Sequence, residues 1–150
     1  MVTSSPPRPR VFVDADVLFA GAASPSEQGA SLVVLRMAEI TLIEAVTSEQ
    51  VITEVERNLS AKMPAALPTF RLLVSRCLDV VPSPTAGERQ VHTGLADAKD
   101  LSILVAALRE KCSWLVTFNG RHCHPGHPAV TVLPAGAFVQ RMRHLLAQLQ

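Results

Sequence analysis

Val11-Phe12-Val13-Asp14-Ala15-Asp16 places three consecutive apolar residues, two β-branched and one aromatic, ahead of two acids one residue apart. Val11 to Val13 offers no polar face, so it predicts a strand buried from both sides, the habit of a parallel sheet covered by helices. Asp14 then emerges at the carboxyl end of that strand. Side chains of an extended segment alternate with period two, so Asp16 projects to the same side. Two carboxylates sharing an edge repel each other, and a bound divalent cation is a natural reason to place them together. The alternative is local: Asp16 caps a helix beginning near Val17, and Asp14 accepts backbone hydrogen bonds in the turn.

Working outward, Ser26 to Glu39 carries Leu32, Leu35 and Met37 at helical spacing, and Thr41 to Val46 reads as a second strand. Thr47 and Gln50 fit the capping-box spacing ahead of a helical stripe of Val51, Ile52, Val55 and Leu59. Met63 to Cys77 predicts another helix, with Pro64 and Pro68 suited to its first turn or to a break before Thr69. Leu78 to Val81 is a third strand, closed by Pro82-Ser83-Pro84. Asp100 to Lys111 is a helix apolar on most sides and therefore central. Trp114 to Thr117 and Val130 to Leu133 complete a set of five strands, and Ala135 to Gln150 is a closing helix. Strands alternating with helices imply right-handed βαβ units and an α/β fold, a three-layer α/β/α sandwich on a mainly parallel, five-stranded sheet. Ligands of such sheets gather outside the carboxyl ends of the strands.

Composition limits the function classes. The length of 150 residues suits one domain, taken as 11–150 behind a flexible, polar and proline-rich tail over 1–10. The formal charge of +1 speaks against a protein that coats nucleic acid through one broad basic field, and leaves room for local basic patches. Three irregularly spaced cysteines, Cys77, Cys112 and Cys123, suit a reducing compartment. No apolar run approaches the ~20 residues that cross a bilayer as a helix. The expectation is a soluble, cytoplasmic protein.

Further polar groups fall where the crevice is expected. Asp97 and Asp100 precede the central helix, where one could serve as N-cap and both would meet the positive end of the helix dipole. Glu54 and Glu56 flank the apolar stripe of their helix on opposite borders, and helix geometry does not choose between them. Thr117 and Asn119 follow a strand with a hydroxyl and an amide able to bind oxygen or phosphate, although Asn is also a common loop former. His122-Cys123-His124-Pro125-Gly126-His127 contains zinc-binding residue types at a spacing that matches no standard zinc pattern. A surface loop that brings its histidines and Arg121 near a phosphate backbone is the simpler reading.

The order of these groups, from Val13-Asp14-Ala15-Asp16-Val17-Leu18 through Thr47-Ser48-Glu49 to Asp97-Ala98-Lys99-Asp100 with Leu101 to Leu108 and then Val116-Thr117-Phe118-Asn119, resembles the PIN-domain family. Within it the chain is most similar to the VapC-type toxin ribonucleases of bacterial toxin–antitoxin systems. The resemblance implies a divalent-metal-dependent endoribonuclease with Asp14, Glu54 and Asp100 as catalytic acids. It puts Mg²⁺ or Mn²⁺ on Asp14, Asp100, Asp97 and Glu54, and gives supporting or substrate-binding places to Asp16, Ser48, Thr117 and Asn119, to which the surface-loop reading adds Arg121 and His122 as substrate-binding candidates. It also implies an RNA substrate, a cognate antitoxin protein and a homodimer as partners, with no membrane. Where such proteins often carry a further Asp three residues after the Asn, this chain has His122. That departure motivates the alternative of a catalytically weak or inactive PIN-like module that binds RNA or protein.

Overall fold

The computed structural model describes residues 8–23 and 29–149. The expected N-terminal tail lies outside the described residues up to residue 7, and so do Ser26 to Gln28 of the expected first long helix. The first strand, β1 (Arg10–Val13), starts at Arg10, whose guanidinium bonds the Glu44 carboxylate at 2.9 Å beside Arg8. Val11, Phe12 and Val13 are fully buried, as a strand apolar on both faces requires.

β1 is the middle strand of a five-stranded sheet. Its neighbours are β2 (Glu44–Ser48) on one side and β4 (Trp114–Val116) on the other; β3 (Leu78–Val81) lies beyond β2 and β5 (Thr131–Leu133) beyond β4. Every pairing is parallel, and Phe12 is in register with Val46 and Leu115. The chain therefore steps from β1 outward to β3, then returns across the sheet to β4 and steps outward again to β5. A reversal of that kind opens a crevice between the carboxyl ends of β1 and β4.

The helices follow from this path. α1 (Ala15–Ala23), α2 (Ala30–Glu39), α3 (Glu49–Lys62) and α4 (Leu67–Cys77) serve the outward steps, and α1 packs on α2, α3 and α4. α5 (Ala86–Val91) and α6 (Ala98–Arg109) serve the return, so right-handed crossovers place them on the opposite face. α6 lies against β1, β2 and β4 and buries Leu101, Ile103, Leu104, Val105, Ala106 and Ala107, as its nearly continuous apolar sequence predicts. α7 (Ala135–Ala147) closes the chain on α2, anchored by Phe138 and Met142. None of the described helices is long and apolar enough to cross a membrane.

Three local expectations shift. The second strand begins at Glu44 rather than Thr41, because α2 ends in a tight turn. Thr41 sits there in the left-handed region (φ 66°), and the Leu42 N–H returns to the Met37 carbonyl at 2.9 Å. The cap of α3 is Ser48 rather than Thr47: Ser48 Oγ accepts from the Val51 N–H, while buried Thr47 donates its hydroxyl to the Val13 carbonyl at 2.9 Å, tying β2 to β1. The helix expected over Met63 to Cys77 divides at Pro64, with a 3-10 turn over Pro64–Ala66 before α4. A reciprocal capping box does exist, between Thr85 and Glu88, and it starts α5, a helix the sequence reading passes over.

Candidate functional site

Asp14 follows the last residue of β1, and its N–H continues the ladder to the Val116 carbonyl of β4 at 3.0 Å. Its side chain is thereby set in the crevice at the β1/β4 reversal. It is 7% exposed, with Oδ1 accepting from the Ala15 N–H at 2.7 Å and Oδ2 from the Thr117 hydroxyl at 2.8 Å. Those two bonds favour the ionised form, yet burial and the neighbouring Asp16 carboxylate push the Asp14 pKa up to about 6, with Glu54 adding a smaller repulsion. Asp16 sits in the first turn of α1. Its Oδ2 accepts from the Phe118 N–H and the Asn119 side-chain amide, each at 3.0 Å. Burial raises its pKa as well, against the hydrogen bonds that lower it.

The loop after β4 is thus a bracket for the two aspartates. Thr117 is buried, donates to Asp14 and accepts from the Asn119 N–H at 3.1 Å; Asn119 in turn holds Asp16. Both residues do more than form a turn. Glu54, half-buried on α3, is close enough to raise the pKa of both Asp14 and Asp16. Glu56, its rival by helix spacing, is paired with Arg71 at 3.4 Å. Ser48 lies at the same edge of the sheet with its hydroxyl engaged in the α3 cap.

The second acidic group starts α6. Asp97 is the N-cap residue by backbone geometry, but its side chain makes no capping bond. The carboxylate instead meets His122 Nδ1 at 2.8 Å, and the Asp97 N–H bonds the His122 carbonyl at 2.8 Å. Asp100 stands one turn of helix away, its pKa raised by burial and by Asp97, and lowered by His122 and Lys99. Ligand atoms of Asp97, Asp100 and His122 all lie within 4.8 Å of one another. Arg121 is exposed and directs its Nε toward the His122 ring at 3.3 Å.

Cys123, which the sequence reading treats only as a marker of the redox compartment, links the two groups. Its buried thiol is pushed up to about 11 by burial and by the negative field of Asp100, Asp14, Asp97 and Asp16. Cys123 thus lies within the negative field of both acidic groups. Its position depends on a loop held by the Cys123 N–H to Gly120 carbonyl bond, a long-range arrangement with no spacing signal.

This donor set fits a hard divalent cation. Among the described residues, Asp16 Oδ1 is buried without a hydrogen-bond partner, an acceptor that a cation would satisfy. The charges acting most strongly on Asp14 are both negative, so a cation between them would offset repulsion.

The family model of the PIN domain matches residues 10–121. No curated protein matches the sequence. Several solved structures share the fold, including the two that follow. The chain is similar to the crystal structure of VapBC2 from Rickettsia felis bound to a DNA fragment from their promoter, at a TM-score of 0.58 and 14% identity, over 82% of this chain and 96% of that one. It is also similar to VapC20 of Mycobacterium tuberculosis, a sarcin–ricin loop cleaving toxin, at a TM-score of 0.52 and 17% identity, over 73% of this chain and 90% of that one.

Proposed function

The chain belongs to the PIN-domain family, and from that premise we propose that it is a divalent-metal-dependent endoribonuclease, the toxin of a toxin–antitoxin pair. The observation that carries the reading is the gathering of Asp14, Asp16 and Glu54 at the end of β1, with Asp97 and Asp100 acting on the same Cys123 thiol and, among the described residues, a buried Asp16 oxygen left without a donor. Asp14, Glu54 and Asp100, supported by Asp97, are the residues to hold Mg²⁺ or Mn²⁺ through oxygen. When bound, such an ion supplies an activated water near neutral pH and stabilises charge on the phosphoryl oxygens.

The protein's own contribution is positional. Thr117 fixes one oxygen of Asp14 and the Ala15 N–H fixes the other, so the carboxylate does not turn away from the phosphate. Asn119 and the Phe118 N–H hold Asp16 in the same way. Arg121, exposed at the rim beside His122, is a cation within reach of an RNA backbone. A cytoplasmic RNA is the substrate on this reading, with a cognate antitoxin and a second copy of the chain as protein partners.

Incubating purified protein with RNA and Mg²⁺ or Mn²⁺ tests it. The expected result is cleavage that leaves 5′-phosphate ends and stops with a chelator. RNA bound equally well without divalent ions, with no turnover, would instead establish a binding module.

A Thr117→Val variant probes the bracket. It keeps the side-chain shape and removes a hydrogen bond to a charged acceptor, a contribution of roughly 1.5–3 kcal/mol, so cleavage is expected to fall roughly 10- to 100-fold. Because that bond lowers the Asp14 pKa, its loss moves the acid limb of the rate profile to higher pH. An unmoved limb would show that Thr117 does not act through Asp14.

A further inference from the structure

We propose that the ring of Phe118 is a stacking platform for the RNA base next to the scissile phosphate. The inference deepens the nuclease reading above and rests on it, since it adds a substrate-binding residue to the same site.

The chain has five phenylalanines, one tryptophan and no tyrosine. Phe12, Phe70 and Phe138 are fully buried in the core. Trp114 packs edge-on against Phe138 beneath the Arg141 guanidinium, and half-buried Phe19 lies under the Lys62 ammonium. Phe118 alone among these six is exposed, at 50%. A single apolar side chain in water is ordinary on a protein surface. The place of this one is not.

Phe118 lies between the two residues that bracket the aspartates. Thr117 donates to Asp14, the Asn119 amide donates to Asp16, and the Phe118 N–H itself meets Asp16 Oδ2 at 3.0 Å. With its N–H so placed, the ring centre lies no more than roughly 8 Å from that oxygen. A phosphate held at the acids therefore brings its neighbouring base within reach of the ring. The backbone beneath is fixed from both sides, by the Thr117 N–H to the Leu133 carbonyl at 3.1 Å and the Asn119 N–H to the Thr117 hydroxyl at 3.1 Å. A platform ordered before binding adds little entropy cost to the stack.

Charge gives such a platform its use. The chain carries a formal charge of only +1, and Asp14, Asp16, Glu54, Asp97 and Asp100 have the sign of the phosphates. The broad ionic contact that dominates affinity for nucleic acid elsewhere is therefore weak here. Stacking on an aromatic face draws on the base instead of the phosphate, and every base has a face to offer.

The test uses the full chain in the Asp14→Asn background, which keeps RNA uncut, with Mn²⁺ and a fluorescently labelled single-stranded RNA oligonucleotide that the wild type cleaves. Adding Phe118→Ala is expected to weaken binding roughly 10- to 100-fold. The factor should be the same at about 50 and about 200 mM salt, whereas Arg121→Ala should flatten the salt dependence. Phe118→Trp should bind at least as tightly as the parent, and Phe118→Leu, apolar but without a ring face, should resemble alanine. All these variants keep the backbone N–H on Asp16. With Asp14 intact, Phe118→Ala should thus raise KM, hold kcat within a few-fold and leave the melting temperature unmoved. A single abasic nucleotide moved along the oligonucleotide should reveal one position whose loss is not additive with Phe118→Ala. Undiminished binding in Phe118→Ala, full recovery in Phe118→Leu, or additivity at every abasic position overturns this inference and leaves the nuclease reading in place. So does a dimer that Phe118→Ala splits while RNA binding holds, which would assign the ring to a contact between copies. A wild-type chain that cuts no RNA overturns both.

Discussion

Asp14→Asn is expected to lower RNA cleavage by at least about 10³-fold and, in the absence of divalent ions, to make the protein more stable. The first effect follows from removing a charged oxygen from the centre of the donor set, at a cost of about 4 kcal/mol in the transition state. The second follows from the Asp14 pKa of about 6 in the folded protein against an ordinary value of 3.8. Between these values the folded protein holds a proton that the unfolded chain has released. Stability that is full below the lower value is thus lost as pH rises through the higher one. At about 1.4 kcal/mol per pH unit, the ionised Asp14 costs the metal-free protein roughly 3 kcal/mol at neutral pH. Asparagine carries no such charge. Its carbonyl can still accept from the Ala15 N–H, and its amide can donate to Thr117. The variant should melt roughly 6–12 °C above the wild type at pH 7.5 in chelator, with the gap closing towards pH 4. Mn²⁺ should narrow the gap by raising the wild type. Parallel melting curves across that pH range would show that Asp14 is not a strained carboxylate.

Leu104→Ala is expected to do the reverse. Leu104 is fully buried in α6, the helix that lies against β1, β2 and β4 and presents Asp97 and Asp100 at its start. Truncating it removes apolar contacts and leaves a cavity in an interior that relaxes only partly, a loss of about 2–5 kcal/mol. A fall in melting temperature of roughly 10 °C is the expected reading by calorimetry or circular dichroism. The site residues of α6 sit one turn or more before the substitution, so cleavage well below the melting point should stay within a few-fold of wild type. One variant separates activity from stability in each direction. Equal loss of both in Leu104→Ala would mean that the cleft depends on the packing of this helix more closely than its contacts indicate.

How much of this was legible in the chain depends on what kind of interaction sets each feature. β1 and α6 are readable because their burial is nearly complete, and a run such as Val11 to Val13 or Leu101 to Leu108 has no other place to go. The position of Asp14 follows from where β1 stops. The α3 cap was displaced by one residue because Thr47 and Ser48 are equivalent as local signals. What separates them is the end of β2, which turns Thr47 toward the Val13 carbonyl. The start of β2 is similarly governed by a left-handed Thr41, a conformation with no marker in a residue other than glycine or asparagine. Glu54 and Glu56 could not be told apart along the helix, since Arg71, the partner of Glu56, comes from α4. The Asp97–His122 pair and the place of Cys123 join the start of α6 to the loop after β4, 25 residues apart in the case of the pair, and only the folded sheet brings them together.

The central claim is that one cleft, built on Asp14, Glu54 and Asp100, holds the ion that cleaves RNA. Its most direct measurement is a crystal of the wild-type chain grown or soaked with Mn²⁺, examined by anomalous scattering. The account predicts a peak coordinated by Asp14 together with Glu54 or Asp100, through oxygen or bridging water, and its disappearance in Asp14→Asn. A wild-type crystal with Mn²⁺ bound elsewhere and none at Asp14 would contradict it.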